Sequence, residues 1–157
     1  YRIEKRQDLL FRLADILEIE KDYHAASITS EMGKPIKQSL AEIEKSVLAC
    51  RYYADRADEF LRPRRHTSSA GSSVIRFDPQ GIVFALMPWN FPYWQVIRCL
   101  APALVSGNAV LLKHASSVPQ CAENIENAVI KAGFPPTCSE IFLLTMSRYQ
   151  DLSNPNM

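Results

Sequence analysis

From Gly81 onward the sequence alternates continuous apolar runs with helix-like stretches, and no other feature constrains the fold as much. Ile82–Met87 (IVFALM) and Ala109–Leu112 (AVLL) are apolar without alternation, and Ile141–Thr145 (IFLLT) repeats the pattern. Between them, Pro92–Val105 and Pro119–Ala132 read as helices, closed by Ser106-Gly107-Asn108 and by Gly133. Strands without a polar face need cover on both sides, and strands separated by helices build parallel βαβ units. The expectation is an α/β fold with a buried parallel sheet. Ligands of such sheets sit beyond the carboxyl ends of the strands.

Upstream the periodicity is helical. Leu9, Leu10, Leu13, Ile16 and Leu17 form one stripe within residues 1–21. A second helix is expected from about Asp22 to Met32, stopped by Gly33-Lys34-Pro35. In 35–61, Ile36, Leu40, Ile43, Val47, Cys50, Ala54, Ala57 and Leu61 alternate steps of four and three. The seam tapers to alanines, which fits a long helix packed on a domain better than a coiled coil. Residues 63–73 (PRRHTSSAGSS) are polar and lead into Val74–Phe77, an exposed β arm, with a turn at Asp78–Gly81. The last dozen residues lose all pattern and read as an irregular tail. The chain opens on Tyr1 with residues that already read as helix interior, so the numbering is expected to start inside a longer protein.

Charge is nearly balanced, with 18 Lys and Arg against 17 Asp and Glu, so no nucleic-acid partner is expected. The longest apolar stretch, Phe91 to Val105, is short and broken by Arg98, so no membrane span is expected. The four cysteines form no C-x-x-C pair and the three histidines are scattered, so no metal cage is expected. Sparse cysteines without a framework fit reduced thiols in a cytoplasmic protein.

Two polar residues fall at the ends of the first two strands. Asn90 lies in Met87-Pro88-Trp89-Asn90-Phe91-Pro92-Tyr93-Trp94, which holds both tryptophans. It reads either as the N-cap of the following helix, with Pro92 in its first turn, or as a fixed amide donor beside a cleft. Lys113 reads either as an exposed strand-end lysine or as a partner for a nucleotide's ribose or phosphate. The glycines form neither G-x-G-x-x-G nor a P-loop. Cys99 and Cys121 fall inside helices, where a small buried thiol is the usual role, and no cysteine is marked as a nucleophile.

PWNFP followed by a helix, then GN-x-V-LLK, with EMGKP before and AGFPP after, resembles the aldehyde dehydrogenase superfamily over roughly residues 1–145. LLKHAS…P-x-CA looks most like its bacterial succinate-semialdehyde dehydrogenase branch. The resemblance implies a partial Rossmann-like fold and oxidation of an aldehyde through a cysteine adduct, with NAD or NADP as hydride acceptor. It implies that Asn90 is the catalytic oxyanion donor, that Met87 and Trp89 line the cofactor cleft, and that Lys113 contacts the adenosine ribose. Ser116 stands where members that prefer NAD often carry a glutamate, so NADP is admissible here. His114 replaces a proline of many relatives and receives no role.

The same resemblance implies that the nucleophilic cysteine and general-base glutamate lie beyond this chain, making it a fragment inactive alone. Its expected parts are N-terminal helices of a cofactor domain (1–62), an oligomerisation-type arm (63–79), the first half of the NAD(P) domain (80–146) and the tail (147–157). A homo-oligomer or an aggregation-prone chain is expected, because the strand at 141–145 and the arm offer open edges. The competing reading is a non-catalytic interaction module that binds a full-length dehydrogenase subunit.

Overall fold

The computed structural model describes residues 2–69 and 71–134. Three helices come first: α1 (Ile3–Ile19), α2 (Lys21–Met32) and α3 (Ile36–Leu61). The Leu9, Leu10, Leu13 and Leu17 stripe of α1 is buried against α3, α4 and α5. Gly33 ends α2 at φ +73, where its N–H reaches Thr29 O (3.0 Å). A left-handed residue there lets the chain turn straight into α3. The α3 seam is buried from Ile43 to Ala57, whereas Ile36 is exposed and Leu40 and Leu61 are only partly covered. Ser39, Glu42 and Ser46 are buried on the same helix, polar residues that the apolar periodicity does not mark.

The arm is a two-stranded antiparallel hairpin of β1 (Arg64–Ser68) and β2 (Gly71–Ile75), running from Arg64 opposite Ile75 to Ser68 opposite Gly71. Every residue of β2 is exposed. The α/β unit follows as β3 (Ile82–Met87), α4 (Trp94–Val105), β4 (Ala109–His114) and α5 (Pro119–Ala132). Strands β3 and β4 pair in parallel, from Ile82 beside Ala109 to Met87 beside His114. Asn108 joins their starts, accepting from Gln80 N (2.6 Å) and Gly81 N (3.1 Å) through Oδ1. Beside it Gly107 has φ +94, and a Cβ there would lie 2.0 Å from Arg6 Nη1, so a larger residue would strain the backbone and push the Arg6 side chain aside.

The structure corrects three expectations. Strand β4 continues to His114, so Lys113 lies within the strand and not after it. Helix α4 begins at Trp94 with Tyr93 as N-cap, so Asn90 does not cap it and Pro92 is outside its first turn. The sheet is not buried on both faces among the described residues. Helix α4 packs on both strands, but Ile82, Phe84 and Leu86 on the other face are 72%, 54% and 67% exposed. The absence of alternation marked the need for two covers, and only one is present here. The strand expected at 141–145 and the tail lie outside the described residues.

Candidate functional site

The carboxyl ends of β3 and β4 carry every residue singled out from the sequence. Met87 closes β3, Trp89 and Asn90 occupy the loop after it, and Lys113 is the penultimate residue of β4. Ser116 follows in the turn before α5. They share an end but not a face. Lys113 pairs with Leu86 and so belongs to the open face, while Met87 pairs with His114 on the side of α4. Trp89, Asn90 and Ser116 are exposed, and Met87 and Lys113 are half-buried. Lys113 donates through Nζ to the His114 carbonyl (2.9 Å).

The loop bearing Asn90 is held by groups far away in sequence. Glu42, on α3 and nearly fully buried, accepts from Tyr93 N (2.9 Å) and Trp94 N (3.0 Å) through Oε1. Those are orphan donors at the start of α4, so the cap that Asn90 does not provide comes from another helix. The second oxygen of Glu42 takes Lys34, from the turn between α2 and α3. Lys34 Nζ also donates to the Asn90 carbonyl (2.9 Å) and sits 3.9 Å from the centroid of the Phe91 ring. A buried ion pair survives when its remaining valences are satisfied, as both partners' are here. The pair fixes the backbone on the carboxyl side of Asn90 Cα and leaves the side chain at the surface.

A second tether comes from His114, buried at the end of β4. Its Nδ1 accepts from Ala115 N (2.8 Å) and its Nε2 lies 2.9 Å from the Pro92 carbonyl. An amide N–H can only donate, so Nδ1 is bare and the proton sits on Nε2, which donates to Pro92. Burial pushes the pKa of His114 below the ordinary histidine value, against the Pro92 carbonyl, Glu31 and the Met87 carbonyl, which pull it back. Glu31 does for α5 what Glu42 does for α4, accepting from Gln120 N (2.7 Å) and Cys121 N (2.8 Å).

Lys34, Glu42 and His114 were not identified from the sequence. Lys34 stands in EMGKP, a stretch that carries only the family resemblance. Glu42 sits one step before Ile43 on the seam, flanked by Ser39 and Ser46 at helical spacing. Small hydroxyl residues on both turns leave room for a carboxylate, and that was the available signal.

The cysteines offer no reactive thiol among the described residues. Burial pushes Cys50 up to about 12 and raises Cys121 further, and Cys99 is raised by the same cause. Among the described residues, no group of three or more His, Cys, Asp or Glu is placed to hold a metal. No helix among them is long and apolar enough to cross a membrane.

Residues 1–147 match the aldehyde dehydrogenase family. The chain belongs to that family. It is 49% identical over 140 residues to a probable NADP(+) succinate-semialdehyde dehydrogenase of Synechocystis, covering 89% of this chain and 31% of the relative. It is 42% identical over 151 residues to an NADP(+) succinate-semialdehyde dehydrogenase of Mycobacterium ulcerans, covering 94% of this chain and 33% of that one. Among solved structures it is similar to the Streptococcus pyogenes succinic semialdehyde dehydrogenase in complex with NADP+. The TM-score is 0.85 at 35% identity, over 87% of this chain and 30% of that one. The chain thus spans about a third of the length of these relatives. The α/β fold expected from the apolar runs is the Rossmann-like fold of this family.

Proposed function

We propose that this aldehyde dehydrogenase chain supplies the first portion of an NAD(P)-dependent enzyme that oxidises succinate semialdehyde to the acid. The observation that carries the reading is the Asn90 loop. Its backbone is fixed by Lys34 and Glu42 while its amide stays at the surface, beyond the carboxyl end of a parallel strand. A donor aimed in advance stabilises charge without reorganising when that charge develops. In this role Asn90 donates to the oxygen of the aldehyde as a thiolate adds to its carbonyl carbon. Pro88 and Pro92 restrain the same backbone, since each fixes its own φ.

The donor set fits a dinucleotide. Lys113 offers a cation on the open face, Met87 and Trp89 offer apolar surface, and Ser116 places no carboxylate where a 2′-phosphate would be repelled. These four residues would hold NAD or NADP, and the NADP(+) names of the relatives favour NADP. When bound, the dinucleotide supplies the hydride acceptor. The nucleophile is then sought outside the described residues, because the thiols of Cys50, Cys99 and Cys121 are held protonated by burial. Residues 1–62 and 80–146 then belong to the cofactor domain, 63–79 to an oligomerisation arm, and 147–157 to a tail.

The test has two arms. The isolated chain should show no reduced-nicotinamide absorbance with succinate semialdehyde, and should bind NADP with a Kd weaker than about 1 mM. In an intact succinate-semialdehyde dehydrogenase carrying the same loop, the change corresponding to Asn90→Ala should lower kcat by about 10²–10³-fold. An unchanged rate per folded molecule would return Asn90 to a structural part. A second reading, a non-catalytic module that binds a full-length subunit, draws on the bare face of β3 and the exposed β1–β2 arm. Co-purification with a longer dehydrogenase chain would favour it.

A further inference from the structure

His114 is where the two halves of the candidate site meet. Its Nε2–H reaches the Pro92 carbonyl, two residues beyond Asn90, and its Nδ1 takes the N–H of Ala115, beside Ser116. Its own carbonyl accepts from Lys113 Nζ. One buried imidazole is therefore bonded at once to the Asn90 loop and to the turn after Lys113. Ala115 is the chain neighbour of His114, so the informative partner is the Pro92 carbonyl, 22 residues away in sequence, which ties the Asn90 loop to the end of β4. Lys34 holds the same loop at the Asn90 carbonyl, and its partners among the described residues are Glu42 and that loop. Among the described residues, the His114 side chain is hydrogen-bonded to both segments.

We propose that His114 is a positioning residue that couples the cofactor-side turn, Lys113–Ser116, to the loop that aims Asn90. The functional meaning rests on the roles given above to Asn90 and Lys113; the coupling itself does not. Displacement of the turn is passed to Pro92 through a planar ring with no internal torsion, so the two segments move as one. The fixed tautomer makes the link directional: donor toward the oxyanion loop, acceptor toward the cofactor turn.

That asymmetry gives the test, because two amide side chains each copy one end of the ring. Glutamine can place an N–H near the position of Nε2, and asparagine can place an oxygen near that of Nδ1. The experiment is nuclear magnetic resonance on the full chain, reading the imidazole nitrogens of His114 and amide hydrogen exchange. Two amides report the ends: Ala115 N–H on the turn, and Gln95 N–H, which bonds Phe91 O (3.0 Å), on the loop.

The wild-type ring should be neutral with its proton on Nε2. His114→Leu should speed exchange at both reporters by about tenfold, the scale of one hydrogen bond. His114→Gln should restore Gln95 but not Ala115, and His114→Asn should do the reverse. A general loss of stability would instead speed the α1 and α3 amides equally, and that result overturns the proposal. So does a proton on Nδ1 in the wild type, which needs no variant to fold. If Asn90→Ala slows an intact enzyme while the reporters ignore His114, the coupling fails and the oxyanion reading stands. If the reporters split as stated while Asn90→Ala leaves the rate unchanged, the coupling stands without that function.

Discussion

The two faces of the β3–β4 pair are made of the same kinds of residue and live in opposite surroundings. On one, Ala85, Val110, Leu112 and His114 are buried, with Val83 and Met87 partly covered, and a web of buried polar groups tethers the loop beyond the strands. On the other, Ile82, Phe84 and Leu86 stand exposed beside Lys113. Composition does not distinguish them. Cover is set by which helices are present to pack, and a row of large exposed apolar side chains on a strand is surface that calls for a partner. The order of the candidate site therefore comes from the covered side, while the cation proposed to hold cofactor sits on the bare one.

The largest effect should come from cutting the polar web. Glu42→Ala strands Lys34 in the interior and frees the first N–H groups of α4. Loss of one partner of a buried pair costs about 3–5 kcal/mol. The urea midpoint should fall accordingly, and replacing both partners with apolar residues of similar size (K34M/E42L) should recover much of the loss. If E42A is as mild as a surface change, the pair does not organise the loop.

Next comes the contrast between the faces themselves. Leu112→Ala opens a cavity on the covered side and should cost about 2–5 kcal/mol. Leu86→Ala on the open side should stay within about 0.5 kcal/mol. Equal costs, measured by urea unfolding with unchanged slope, would mean that the open face is covered in solution. That outcome ties to self-association. The bare face and the edges of the arm should make the chain oligomerise or aggregate, and Phe84→Lys with Leu86→Lys should reduce light scattering without lowering the urea midpoint. A wild-type chain that stays monomeric at high concentration would contradict this.

Much of this architecture is legible in the residues. Apolar stripes fixed α1 and most of α3, Gly33 and Gly133 marked helix ends, and the unbroken runs marked β3 and β4. The misses have one physical origin. Local pattern reports what a segment prefers, and the buried polar web is made between segments: Glu42 meets Tyr93 and Trp94, and His114 meets Pro92. Asn90 shows the limit from the other side. Its local preference for capping is real, but a carboxylate already holds the donors it would cap. The bare face escaped for a related reason, since an apolar run states that cover is needed and not whether it is at hand.

The smallest effect should be the dependence on acidity, and it too separates the sides. His114 lies on the covered side and His24 is buried on α2, and burial lowers the pKa of each below the ordinary histidine value of about 6.5. Glu20 draws His24 back up and Lys131 pushes it down; Glu31 and Lys113 act likewise on His114. His24 also bonds the Tyr93 hydroxyl through Nδ1 (2.8 Å), and Tyr93 is the N-cap of α4. The unfolded chain takes up protons near the ordinary value, whereas the folded chain resists them until the pH is lower. Stability from both groups is therefore complete above about pH 6.5 and declines as pH falls through their folded pKa values. Unfolding in urea between pH 7.5 and pH 5, above the range where most carboxylates titrate, isolates this contribution. The midpoint should drop on acidification, His24→Gln and His114→Gln should each flatten the profile, and the double variant should flatten it most. A profile that keeps its slope in the double variant would show that neither imidazole is held neutral by its burial, and the covered side would lose its claim to set the state of the site.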